Sequence, residues 1–312
     1  MRDPSLPIAL HAPDLERAWG GTFDDALVSR IEAHAFRYVP LTNEEQASWI
    51  AQIDEVLKKP DVITAGAHRA GQWEKGWGEH EELIKNNKDE FALMPRYYGK
   101  YPVVRWRQSL IKTASPHFEY YTATILEEWL FKKYFSNLSA IHEFGCGTGH
   151  NLMRAHTANP RARLYGYDWA ESSQKIIALA KEAGILADSV TARRFDFFHP
   201  DADLALESGS GIYTVAALEQ TGDRFRPFVN YLLAKKPEVC VHIEPIAELL
   251  DPAHQLDRLA TEYFWKRNYL DGFLIFLREL EREGKIVIHE VRRSYTGSLF
   301  VEGHSFVAWS PR

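Results

Sequence analysis

The spacing of apolar and polar residues changes character near residue 139. Before it, apolar positions recur at helical intervals. In "TNEEQASWIAQIDEVLKKP", Trp49, Ile50, Ile53, Val56 and Leu57 share one helical face, Thr42 and Glu45 stand at capping-box spacing, and Pro60 closes the run. "GTFDDALVSRIEAHAF" has the same period, and "FEYYTATILEEWLFKKYF" extends it into a longer helix. Between these, "MPRYYGKYPVVRWRQ" is dense in Tyr, Arg, Gly and Pro and lacks a helical period, which predicts a loop.

Beyond residue 139, short β-rich runs alternate with helical ones. The predicted strands are "AIHEF", "RLYGYD", "TARRFDF", "GIYTVAA" and "EVCVHIE", and the helices between them are "HNLMRAHTA", "ESSQKIIALAKEAG" and "DRFRPFVNYLLAKK". Alternation of this kind predicts an α/β fold with a doubly wound, mainly parallel sheet and crossover helices. A helical stretch from Pro252 to Arg282 follows, and "KIVIHEVRRSY" with "GHSFVAWS" supplies a final strand pair, for seven strands in all.

Composition narrows the picture only a little. At 312 residues, with 45% hydrophobic and 26% charged residues, the chain is an ordinary globular sequence able to bury a full core. A net charge of −6 leaves no overall basic footprint, so no nucleic-acid partner is expected. Two cysteines, Cys146 and Cys240, are too few for a disulfide framework. The segment "MRDPSLPIALHAPDLERAW" is broken by prolines and acids where a signal peptide would be apolar, and no run nears the length of a membrane span. The expectation is a cytoplasmic protein without a membrane partner.

The chemistry gathers around "IHEFGCGTGHNL". Gly145, Gly147 and Gly149 follow a strand that ends in an acid, Glu143, and alternate glycines let a bulky ligand lie against the main chain. The pattern Glu-x-Gly-x-Gly-x-Gly differs by one residue from the dinucleotide fingerprint Gly-x-Gly-x-x-Gly, which counts against a nicotinamide oxidoreductase. The next strand ends in Asp168, followed by Trp169, where a carboxylate can accept from both hydroxyls of a ribose. The third ends in "FDFF", offering Asp196 to an exocyclic amine and Phe197 to an adenine face.

On these residues the sequence resembles the class I S-adenosylmethionine-dependent methyltransferases. "HEFGCGTG", "YGYD", "FDFF" and "YTVAALEQ" look like that family's first four motifs, in order, over Ala140 to Pro245. The resemblance implies S-adenosylmethionine as cofactor and a seven-stranded Rossmann-like catalytic domain over 139–312, and the helical region over 1–138 is expected to supply a substrate lid. It further implies that the glycine turn cradles the methionine part, Asp168 holds the ribose, and Asp196 with Phe197 holds the adenine. No metal is expected.

Methyl transfer from a sulfonium needs alignment and exclusion of water more than an acid. The fourth and fifth strands end near "AALEQTGD" and "VHIEPIAE", giving Glu219, His242 and Glu244 as candidate catalytic groups. Two carboxylates and an imidazole suit an amine, so the expectation is N-methylation of a small amine, amino acid or guanidinium compound. O-methylation of a small molecule, or cofactor binding by a regulatory protein without catalysis, are the alternatives. Arg96, Tyr97, Tyr98 and Tyr101 lie in the aromatic loop expected to close over the substrate, with "QWEKGWGEH" as a second flap, and the same aromatic half can serve equally as a homodimer surface. Glu302 and His304 are expected at the surface.

Overall fold

The computed structural model describes residues 6–34 and 36–312, so the first five residues and Ala35 of the second helical run lie outside the description. Along the chain, β1 (Ile8–Ala9) and β2 (Arg37–Pro40) pair antiparallel, with the helices Ala12–Trp19 and Asp25–Ala33 between them. The helix Asn43–Lys58 starts at the expected capping box: Thr42 Oγ1 accepts from the Glu45 amide at 3.2 Å, and Glu45 accepts from the Thr42 amide at 2.9 Å.

The segment expected to be a loop contains a strand. β3 (Val103–Trp106) and β4 (Ser109–Thr113) form a hairpin turning at Arg107 and Gln108, both at positive φ. Neither turn residue is the glycine or asparagine that ordinarily announces such a turn, which is why the pattern hid it. With β1, β2 and β11 (Thr296–Gly297), this hairpin completes a five-stranded sheet, so the N-terminal region is not wholly helical.

The long helix Phe118–Phe135 coincides with its predicted bounds and is buried on nearly every side, as a helix between two layers must be. Five parallel strands follow: β5 (Ala140–Phe144), β6 (Arg163–Asp168), β7 (Val190–Arg194), β8 (Ser210–Val215) and β9 (Val239–Glu244). β10 (Ile286–Arg292) and β12 (Ser305–Pro311) add an antiparallel edge, giving the order β10-β12-β9-β8-β5-β6-β7. The expected stretch from Pro252 to Arg282 is two helices, Gln255–Arg267 and Phe273–Arg282, broken at Asn268 (φ 52°).

Strand alternation feeds two cores. Ile141, Tyr213, Val241 and Ile243 face the long helix. Phe144, Tyr167, Ile212, Cys240 and Trp309 face the opposite layer with Phe228 and Phe273. Strand order reverses at β5, which has β6 on one side and β8 on the other, and the crevice over that reversal is where doubly wound sheets place ligands. No helix among the described residues is long and apolar enough to cross a membrane.

Candidate cofactor and acceptor site

The turn after β5 is built from backbone alone. Gly145 and Cys146 donate to the Tyr167 carbonyl at 2.7 and 2.9 Å, so the turn is pinned to β6. Gly145 and Gly147 sit at φ 79° and 52°, a region that favours glycine. A Cβ on Gly145 would collide with Ala217, and one on Gly147 would stand 2.9 Å from the Trp77 ring. Gly149 opens the helix His150–Ala158, packed toward Ile177.

Over this turn lies a pocket narrowed to about 60 Å³ by the side chains above it. Gly145, Asp168, Trp169 and Phe197 line it, as the sequence led one to expect, together with Phe195. Asp168 is buried and accepts from the Gly147 and Ala170 amides, both at 2.9 Å, leaving further lone pairs toward the pocket. Burial pushes its pKa up to about 6, against the lowering effect of those two amides.

Three expected residues do other work. Glu143 is fully buried beneath the turn, and its oxygens accept from Asn151 Nδ2 (2.8 Å) and Tyr213 OH (3.0 Å), so it braces β5 instead of lining the pocket. Asp196 is outside the lining: it accepts from the Phe198 amide at 2.8 Å and faces His199 at 3.1 Å, closing its own turn. His242 is a core residue. It shares the parity of Cys240, packs 5.2 Å from Phe273 and 6.2 Å from Trp309, and joins Thr214 Oγ1 through Nδ1 at 2.9 Å. Burial drives its pKa down to about 3, so it stays neutral in the core.

Glu244 reaches the expected strand end, yet both its oxygens are engaged there. They accept from the Ala217, Leu218 and Glu219 amides at 3.1, 3.0 and 3.1 Å, and so hold the loop after β8. That loop presents Glu219 and Gln220. Gln220 Nε2 donates to Glu219 Oε1 at 2.8 Å, and Arg69 Nη1 donates to Gln220 Oε1 at 2.7 Å. Burial, and secondarily Glu244, pushes the Glu219 pKa up to about 8, while Arg267 and Arg69 pull it down.

The cover comes from the flap "QWEKGWGEH", not from the expected lid loop. It forms the helix Ala70–Gly78, whose Trp73 and Trp77 stack at 5.2 Å and line the pocket. Glu74 anchors it by accepting from the Ser172 amide at 3.0 Å, and the Arg69 guanidinium lies 4.7 Å from the Trp73 ring. Trp73 Nε1 is buried without a partner, a donor left for a ligand.

The lid-loop residues divide. Arg96 pairs with Glu79 at the surface, and Tyr101 packs on Phe300. Tyr98 is buried and stacks on His304. Tyr97 keeps 43% of its surface open. Desolvation, and after it Glu219 and Glu127, push its hydroxyl pKa up. Glu302 and His304, expected at the surface, are buried, Glu302 holding Arg293 at 2.7 Å.

Groups that no motif announced stand in the electrostatic reach of Glu219. Arg267 donates to Tyr269 OH at 3.2 Å and lies near Tyr263. Glu219 acts electrostatically on both tyrosines and on Arg267 and Arg69. These residues come from distant parts of the chain and carry no spacing signal; only the helical register of Tyr263 and Arg267, four apart, was open to view.

No family model matches the chain. Two curated relatives are trans-aconitate 2-methyltransferases: one from Escherichia coli O1:K1 / APEC is 30% identical over 144 residues, 46% of this chain and 52% of the relative. The other, from E. coli O139:H28 (strain E24377A / ETEC), is 28% identical over 135 residues, 43% of this chain and 49% of the relative. The chain thus spans about half the length of the curated relatives it matches. Among solved structures, it is similar to N-methyltransferase NodS from Bradyrhizobium japonicum WM9 at TM-score 0.46 and 11% identity, covering 76% of this chain and 98% of that one. It is likewise similar to magnesium protoporphyrin IX methyltransferase from Synechocystis PCC 6803, at TM-score 0.46 and 13% identity, covering 61% and 82%. The chain thus combines five parallel strands, an antiparallel edge strand beside β9 and a glycine turn at the point where strand order reverses with a similarity to curated methyltransferases over about half their length.

Proposed function

We propose that the protein transfers a methyl group from S-adenosylmethionine to a small molecule that carries a carboxylate. The observation that carries the first half is the bare glycine turn facing Asp168 under a tryptophan lid. Asp168 would accept from the ribose hydroxyls, Trp169 and Phe197 would flank the base, and the orphaned Trp73 Nε1 would donate to a polar group of the ligand. Bound there, the cofactor supplies a methyl group on a sulfonium, which departs as a neutral thioether and needs no proton. The protein's part is then to orient the acceptor and keep water out, which the helix Ala70–Gly78 does by covering the pocket.

The carboxylate follows from charge. Arg69, bonded to Gln220, and Arg267 both act on Glu219, whose pKa burial pushes up to about 8, so two guanidinium groups face one carboxyl there. A guanidinium pair suits a carboxylate better than an amine. The curated relatives are named for a carboxylic acid, trans-aconitate, which supports the same class. Methylation of an amine, expected from Glu219, His242 and Glu244 together, loses its basis because His242 is in the core and Glu244 caps a loop.

The test combines calorimetry with S-adenosylhomocysteine and transfer of a labelled methyl group to trans-aconitate and other carboxylic acids, with simple amines as the parallel arm. Binding, label on a carboxylate-bearing product, and a roughly tenfold or greater loss of kcat/KM in R267M are expected. Absence of binding overturns the reading; label found only on acceptors without a carboxylate overturns its second half.

A further inference from the structure

The space over Gly147 is taken by the protein itself. The Trp77 ring lies so near that a Cβ on Gly147 would stand 2.9 Å from it, and Trp73 stacks on Trp77 at 5.2 Å. The two indoles thus fill the ground that the bare turn leaves open. What remains of the pocket is about 60 Å³, whereas pockets that take small organic ligands ordinarily offer roughly 300 Å³ or more. An adenosyl ligand does not fit beside the helix Ala70–Gly78 in this position.

The helix is held there lightly, although the chain on either side of it is fixed. Before it, the Ala65 amide donates to the Arg267 carbonyl at 2.6 Å, and the Ala65 carbonyl accepts from Asn268 Nδ2 at 3.2 Å. After it, His80 is buried and joins the Ala92 carbonyl through Nδ1 at 2.9 Å. Between those anchors, none of the nine residues of the helix is buried. Glu74 ties it down by accepting from the Ser172 amide at 3.0 Å, in the first turn of the helix Glu171–Glu182, whose own N-cap residue Ala170 offers no side-chain cap. Arg69 adds its bond to Gln220, and Glu79 its surface pair with Arg96. The seat also leaves two buried polar atoms unmet, Trp73 Nε1 and Ser172 Oγ, and each costs stability. A short segment with fixed ends, no buried side chain in its helix and a poorly satisfied seat is the kind of unit that opens locally while the core stays folded.

We propose that the segment 66–79 is a gate: with Trp77 seated on the glycine turn it plugs the cofactor pocket, and S-adenosylmethionine binds only after the segment has swung off that turn. Gly66, at φ 145°, stands just past the first anchor and can absorb the swing. The inference rests on the methyl-transfer reading for the identity of the ligand and adds a step that precedes it. Closed and loaded states then compete, so whatever loosens the closed seat favours loading.

A crosslink tests the gate. A Cβ on Gly78 would stand 4.0 Å from the Ser172 Cβ, within disulfide reach, and the native cysteines, Cys146 and Cys240, are both buried. G78C/S172C is expected to crosslink in the ligand-free protein. Once oxidised it should bind S-adenosylhomocysteine at least about a hundredfold more weakly by calorimetry, and reduction should restore native affinity. E74A removes the tie to Ser172 without touching the pocket lining, and should speed association of S-adenosylhomocysteine about threefold or more in stopped-flow tryptophan fluorescence. E74A also carries the test if the cysteine pair fails to fold. Equal affinity of the oxidised and reduced forms, absence of a crosslink in the ligand-free protein, or an association rate unmoved by E74A overturns the gate. Native protein that does not bind S-adenosylhomocysteine strikes the methyl-transfer reading itself, and the gate falls with it.

Discussion

The two halves of the site are built in different ways. The floor of the proposed cofactor half is made of backbone amides, glycines and one strand-end acid within the short stretch from β5 to the turn after β7. The proposed acceptor half draws Arg69, Tyr97, Glu219 and Arg267 from segments far apart in the chain. A site whose geometry is local can be read from spacing, whereas one assembled by tertiary packing leaves only unremarkable single residues behind. The difference also predicts how each half fails: the first through loss of a ligand contact, the second through loss of the loop that presents it.

The largest expected effect is at Asp168. Asp168→Ala should weaken S-adenosylhomocysteine binding by about 3 kcal/mol, roughly a hundredfold, as charge-assisted hydrogen bonds to the ribose are lost. The same group sets a pH dependence. Its folded pKa is raised to about 6, and the ionised form is much the stronger acceptor for two hydroxyl donors. Affinity in the native protein is therefore expected to be level above that value and to fall as pH drops through it, while the alanine variant shows no such step. Calorimetry across pH checks both, and native-like affinity in the variant would erase the distinction between the halves.

A smaller effect is expected at Glu244. Glutamine offers one acceptor oxygen where the carboxylate serves three amides, so Glu244→Gln should lower stability by about 2 kcal/mol and lower turnover only through the loop that carries Glu219. Denaturant melts compared with kcat would show it; a loss of turnover with unchanged stability would return Glu244 to the chemistry. The smallest change is expected at Arg96, whose pair with Glu79 is solvent-exposed. Arg96→Ala should shift stability by less than about 0.5 kcal/mol and leave S-adenosylhomocysteine affinity alone.

Much of the fold was legible because its signals are periodic. The capping box at Thr42 and Glu45, the long helix to Phe135 and the strand–helix alternation after residue 139 each depend on residues near in sequence. The hairpin at β3 and β4 was hidden because Arg107 and Gln108 take the left-handed turn without a glycine. In the site, Gly145, Gly147 and Asp168 sit where spacing put them. His242 shows what spacing leaves undecided: being two residues from a strand end fixes its parity with Cys240, but the helix that supplies Phe273 decides which parity is interior. Asp196 was a similar case, since an acid after a strand can close its own turn as readily as reach a ligand. Trp73 and Trp77 were visible as a flap, though nothing in sequence ranked that flap above the tyrosine loop.

The pairing of β11 with β3 has a consequence for biosynthesis. Thr296 and Gly297 hydrogen-bond across to Trp106 and Arg105, nearly two hundred positions earlier in the polypeptide. While the ribosome is still elongating, that edge of the small sheet has no mate, and Arg105 lacks the Leu256, Leu299 and Phe300 carbonyls that later satisfy its guanidinium. The small sheet therefore stays incomplete at that edge until β11 has been translated, and only then can the nascent chain close it.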